Sequence, residues 1–152
     1  MGKKALLALL PFLAGCVIFT SDSQDVQTEI DEHRSLWDVA AITDYSIRFQ
    51  NLCFNCLPEF LIPVRITVRD DTIDTVTDLD SGDPITEFAV GVFPTIDVLF
   101  DFIQNAIDNA ASQIDIRYDA VLGYPTDIDI DPSRSFFNDD SRFEIREFQE
   151  LN

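Results

Sequence analysis

"PVRITVRDDTIDTVTDL", Pro63 to Leu79, is the stretch whose pattern settles the architecture. Val64, Ile66 and Val68 alternate with Arg65, Thr67 and Arg69. A period of two is that of an extended strand, whose successive side chains point to opposite faces. The alternation resumes at Thr72 after Asp70-Asp71, so two strands joined by a two-residue turn are expected. Both strands read as half-buried, which implies an antiparallel sheet with one covered face and one face left for water or a partner.

The pattern extends outward from this hairpin. "YSIRF" (Tyr45 to Phe49) is a strand that runs into Cys53 and Cys56. "DLDSGDP" reads as a loop. "PTIDVLFDFIQNAIDNAA" is the strongest helix: Thr95 is a natural N-cap and Asp97 lies in the first turn, where the helix dipole favours an anion. Ile96, Leu99, Phe100, Ile103, Ile107 and Ala110 form its apolar stripe. "IDIRYDAV" and "TDIDID" flank "LGYP" as a second hairpin, and "RFEIREFQEL" is a last strand with Phe143, Ile145 and the residue after Arg146 turned inward. Upstream, Ile30, Leu36, Trp37, Ala40 and Ala41 mark a helix from Thr28 to about Ala41. The order α-β-β-β-α-β-β-β predicts an α+β domain: an antiparallel sheet of about five to six strands with both helices on one face. No internal sequence repeat is present.

The first sixteen residues, "MGKKALLALLPFLAGC", have a basic start, an apolar run from Ala5 to Ala14 and a small-residue ending. That is the build of a secretory signal peptide, too short to span a bilayer permanently. "LAGC" resembles the lipobox of bacterial lipoproteins. The resemblance implies recognition through Leu13, Ala14 and Gly15, cleavage between Gly15 and Cys16, and lipid on Cys16, anchoring the chain in a membrane. Val17 stands where an aspartate would mark inner-membrane retention, which favours the outer membrane, facing the periplasm. The expected division is a signal peptide over 1–15, lipidated cysteine and tether over 16–27, and one α+β domain over 28–152.

The 28 acids outnumber the 10 bases, for a net charge of -18. Loss of Lys3 and Lys4 with the signal peptide takes it to -20 and leaves arginine as the only strong base. Such a surface repels nucleic acid and suits cations, basic partners or simple solvation. An envelope protein is the partner class this leaves open.

Outside the cytoplasm disulfides persist. With Cys16 lipidated, Cys53 and Cys56 are an even pair. Pro58 and the non-helical "EFLIPV" that follow do not offer the helix N-terminus that activates a redox dithiol. A lone His33 does not complete a zinc set. A structural staple is therefore preferred, worth about 2 kcal/mol for so short a loop, over a thiol-disulfide or metal role. Asp78, Asp80 and Asp83 in "DLDSGD" are weak calcium candidates that miss the EF-hand pattern, with glycine fifth instead of sixth and Ala89 twelfth. Asp127, Asp129 and Asp131 share one strand face, opposite Ile128 and Ile130. No metal or cofactor is expected.

In "YDAVLGYP", Gly123 and Pro125 suit a turn and Asp119 suits capping its amides. Tyr118, Asp119 and Tyr124 are the candidate ligand patch. Neither a Gly-x-Ser-x-Gly nor a phosphate loop occurs, and no catalytic residue is assigned.

Taken together, "PTIDVLFDFIQNAI", "IRYDAVLGYPTDIDID", the acidic "NDD" and the "DYSIRFQNLCFNC"…"PVRITVRDDTI" half resemble a bacterial family of extracytoplasmic proteins, domain-of-unknown-function family 6174, over about Leu36 to Leu151. The family's usual hairpin glycine is replaced here by Asp70-Asp71. The resemblance implies a fold and a compartment and no activity. The expected function is a non-enzymatic, disulfide-stapled binding module on a lipid anchor. A thiol-disulfide protein using Cys53 and Cys56 and a calcium-binding acidic module are the alternatives.

Overall fold

The computed structural model describes residues 21–52, 61–85, 91–133 and 140–152, with side chains from Gln24 onward in the first segment. Helix α1 spans Ser21–Ala40 and α2 spans Ile96–Asp108. The strands are β1 (Tyr45–Asn51), β2 (Val64–Arg69), β3 (Thr72–Asp78), β4 (Gln113–Tyr118), β5 (Pro125–Asp131) and β6 (Ser141–Glu150). They form one antiparallel sheet in the order β3-β2-β1-β6-β5-β4. Each half of the chain is a helix followed by a three-stranded meander, a repetition of topology that the sequence does not carry. The halves meet where β1 pairs with β6.

The alternation seen in the sequence sets the layers. Tyr45, Ile47, Phe49, Val64, Ile66, Val68, Ile128, Ile130 and Ile145 are buried on one sheet face. Both helices cover that face, with Trp37 of α1 against Tyr45 and Phe102 of α2 against Phe143. Thr95 Oγ1 caps α2 by accepting the Val98 N–H. Ile96, Leu99, Phe100, Ile103 and Ala106 form its buried stripe. Ala110, expected in that stripe, lies past the helix end with φ 52°.

Three expectations need adjusting. Helix α1 starts at Ser21, about two turns before Thr28, so residues expected in the tether are helical. Its buried stripe is narrow: Ile30 and Trp37 are buried, while Leu36 is 44 % exposed. Weak apolar periodicity hid the first turns, which are polar nearly all round. On β6, the residue after Arg146 does not continue the inward alternation. Glu147 has φ 51° and forms a β-bulge opposite Ile47, so Phe148 packs on the core instead.

The β2–β3 turn is resolved by Asp70 (φ 47°) and Asp71 (φ 60°), both left-handed as a type I′ turn requires. Asp44 Oδ1 accepts the Asp70 N–H and the Thr43 carbonyl accepts that of Asp71, which holds two non-glycine residues in this conformation. The β4–β5 turn docks on α1. A Cβ at Gly123 would lie 2.2 Å from the His33 carbonyl oxygen and 2.8 Å from Leu36 Cβ. Gly123 also has φ 81°, so glycine is required there both by conformation and by contact.

Gly82 has the same sign of φ (79°) and open space around its α-carbon, which makes it an internal control. Gly82→Ala is expected to cost about 1 kcal/mol from left-handed strain alone. Gly123→Ala is expected to cost about 3 kcal/mol or more, since backbone must move. Urea unfolding of both variants checks this; equal costs would mean that the turn does not dock as described.

Candidate functional site: the charged outer face of the sheet

The sheet face turned away from the helices carries the opposite residue of every alternating pair. Arg65 stands on β2, Arg48 on β1, Arg142, Glu144 and Arg146 on β6, Asp127 and Asp129 on β5, Asp115 and Arg117 on β4. With Arg69 at the end of β2, six of the chain's eight arginines therefore lie on one face of a strongly acidic protein. Most are engaged across strands. Arg146 grips Asp127 with two nitrogens at 2.8 and 3.2 Å and also reaches Glu144 at 3.0 Å. Arg48 approaches Glu144 at 3.6 Å and Arg142 bonds Asp129 at 2.9 Å. Arg65 pairs with Glu147, which the bulge presents on this face.

The guanidinium of Arg146 holds the Asp127 carboxyl below the usual carboxylate range, and the Thr126 hydroxyl adds to the effect. In return Asp127 pushes Arg146 further up. Parallel two-point bonding of this kind fixes direction as well as charge. A groove of about 470 Å³ crosses β6, β5 and β4, with Leu52 at its rim. Its charged lining is Asp115, Arg117, Asp127, Asp129, Arg142 and Glu144. A second hollow of about 410 Å³ is apolar and lies on the helix side, between Phe49, Phe93, Val98, Phe102 and Phe143.

The residues singled out in the sequence fall in different places. Cys16, Gly15, Cys53 and Cys56 lie outside the described residues. Asp78 spends its carboxylate on its own turn, accepting from Asp80 and Ser81 at 2.7 and 3.2 Å, and those N–H groups lower its pKa. Asp78 on β3 and Asp127 on β5 are four strand spacings apart, about 19 Å. The structure therefore does not bring the two acidic stretches together. Among the described residues no group of three or more metal-ligating side chains forms.

Tyr118, Asp119 and Tyr124 are close together and structurally occupied. Asp119 Oδ1 accepts the Val121 and Leu122 N–H groups at 2.9 and 2.8 Å. Tyr124 is 7 % exposed and stacks on Phe148 at 4.9 Å. Tyr118 stacks on His33 at 4.0 Å, and burial pushes both phenols up. His33, the chain's one imidazole, has its Nδ1 buried without a partner on the helix side, away from the carboxylate–arginine network.

Sequence reasoning missed the arginine network. Its signal was present as arginines at alternate strand positions, but which acid each faces depends on strand order.

These features define a two-layer α+β protein: a six-stranded antiparallel sheet, helices on one face, and a charge-paired face opposite. The chain belongs to the Family of unknown function (DUF6174), which it matches over residues 29–150. No curated protein and no solved structure matches it.

Arg146→Met is expected to cost about 1 kcal/mol at neutral pH, as one partly exposed ion pair among several. The stabilisation from a depressed carboxyl is present above its unfolded pKa, about 3.9, and is lost as pH falls through the lower folded value. The gap between wild type and variant should therefore be full at pH 5–7 and close below about pH 3. Urea titrations across that range read it; a gap unchanged at low pH would exclude the Asp127 pair as its source.

Proposed function

We propose that this chain is a non-enzymatic binding module held on the bacterial outer membrane, facing the periplasm, by lipid on Cys16, with the outer sheet face as its working surface. The observation that carries the reading is the groove across β6, β5 and β4. It is concave, open to solvent and lined by four carboxylates and two guanidinium groups at fixed positions. Rigid strands on a packed core present these charges without loop ordering, which favours recognition of a charged segment of another envelope protein. The basic start, apolar run and "LAGC" ending support the anchor. The one imidazole, half-buried His33, stacks on Tyr118 on the helix side of the sheet, the face opposite the charged groove, which supports a groove that works without histidine chemistry.

The test uses the full chain in cells, with a photo-reactive amino acid at Leu52 on the groove rim or at exposed Ser35 on α1. Illumination should give one discrete adduct with another envelope protein from position 52 and none from position 35. The Cys16→Ser variant should leave the membrane fraction and lose the adduct. Equal labelling from both positions, or none, would remove the groove from the account.

The thiol-disulfide alternative is decided separately by the reduction potential of Cys53-Cys56. A staple is expected below about -300 mV. A value of about -120 to -200 mV with a lowered thiol pKa would make the protein an oxidoreductase instead.

A further inference from the structure

The two edges of the sheet are treated differently. On the β3 side the chain folds back over its own edge: Pro84 bridges Thr77, Ile85 donates to the Val76 carbonyl at 2.8 Å, and Asp78 donates to Asp83 at 2.9 Å. On the other side, β4 ends the sheet and pairs only with β5. Among the described residues nothing occupies its outer edge. Gln113–Tyr118 contains no proline, no lysine and no inward-pointing charge, and the irregularity in its ladder with β5 falls only at its end, between Arg117 and Tyr118.

Among the described residues, neither charge of β4 forms a salt bridge. Arg34, Arg48, Arg65, Arg69, Arg142 and Arg146 all form ion pairs. Arg117 stands outside that set, exposed on the edge strand; across the ladder it faces Asp127, whose carboxylate Arg146 already grips. Asp115 lies directly opposite Asp129, a like-charge pair that destabilises the ladder.

We propose that a second copy of this chain pairs antiparallel with the free edge of β4, the two-fold axis passing at Ile116. The segment Ile114-Asp115-Ile116-Arg117-Tyr118 is self-complementary in that register. Asp115 faces Arg117 of the second copy and Arg117 faces its Asp115. Ile116 meets Ile116, and Ile114 meets Tyr118 on the helix-covered face. Residues opposite each other in an antiparallel pair share a face, so both the charged and the apolar rows match. Each Asp115 gains a cation on the side away from Asp129. The product is one twelve-stranded sheet with its helices all on one side and the two grooves side by side. This inference does not rest on the lipid anchor or on the groove's ligand.

The opposing force is net charge, -18 per chain. At about 0.15 M salt, screening over about 8 Å removes most of that repulsion while the contacting pairs persist. The experiment is analytical ultracentrifugation of the full chain at that salt, as wild type, Asp115→Arg, Arg117→Asp and the double swap. Wild type should show concentration-dependent dimer. Each single variant places like charges opposite each other twice per dimer and should raise Kd about tenfold or more. The double swap should return Kd to the wild-type value. Thermal melts of each variant confirm that it is folded.

A second measurement fixes the register. Mixed Asp115→Cys and Arg117→Cys chains should form a covalent dimer on oxidation. Asp115→Cys alone should not, because position 115 and its copy are diagonal, about 7–8 Å apart at best. Monomer at all concentrations, singles that dimerise like wild type, a double swap that fails to recover, or equal cross-linking by Asp115→Cys alone would each overturn the proposal.

Discussion

The structure depends on one seam, the pairing of β1 with β6. Each meander has an inner edge that only the other half covers, and the register from Tyr45–Glu150 to Asn51–Phe143 covers both. The bulge at Glu147 divides that register. It turns Phe148 onto the core face, where its ring stacks with Tyr45 at 5.7 Å and with Tyr124 at 4.9 Å. Trp37 meets all three rings edge-on from α1. Large offset and edge-on aromatic contacts add to the burial of their area. The seam is thus closed by backbone on one level and by four rings from four elements above it. Because its strands are the first and last of the sheet in chain order, their pairing has the longest sequence separation of any strand pair, and closing it orders everything between.

The helices are fixed by polar contacts at the margin of that cluster. Tyr45 Oη accepts the N–H of Ile96, the first residue of α2, at 2.9 Å in a buried setting. Burial drives the Tyr45 phenol up, with the Ile96 N–H opposing, and the neutral hydroxyl oxygen accepts that bond. Asp97, one residue further, is also pushed up by burial and by the nearby Asp71 charge, with the Trp37 indole opposing. Gln27 and Gln104 exchange amide hydrogen bonds between the helices, and Arg34 bonds Asp101 at 2.9 Å. Gly123 brings the β4–β5 turn to within contact of the α1 backbone. Helix and sheet are held together at both ends, which leaves the outer face as a rigid display of charge.

That face explains how so acidic a chain uses its few bases. With arginines concentrated on one surface, the surplus carboxylates fall elsewhere and keep the rest of the molecule solvated. The paired face is close to balance, so its field is short-ranged.

Much of this was legible in the sequence. Alternation at Val64, Ile66 and Val68 and the helical stripe at Ile96, Leu99, Phe100 and Ile103 determined the elements, their order and which face of each is buried. Asp119 as a turn cap and Gly123 as a turn residue followed from local chemistry. These properties depend on neighbours within a few positions, where backbone period and side-chain reach suffice. What only the tertiary structure decided depends on which strands become neighbours. The strand order put Arg146 beside Asp127, kept Asp78 far from it, gave β3 a covered edge and placed β4 at the other edge, uncovered among the described residues. The Glu147 bulge belongs to the same class, since Phe148 turns inward only against rings supplied by α1, β1 and the β4–β5 turn. Local sequence sets the period of an element; the pairing that gives its charges their partners is a long-range choice made by the core.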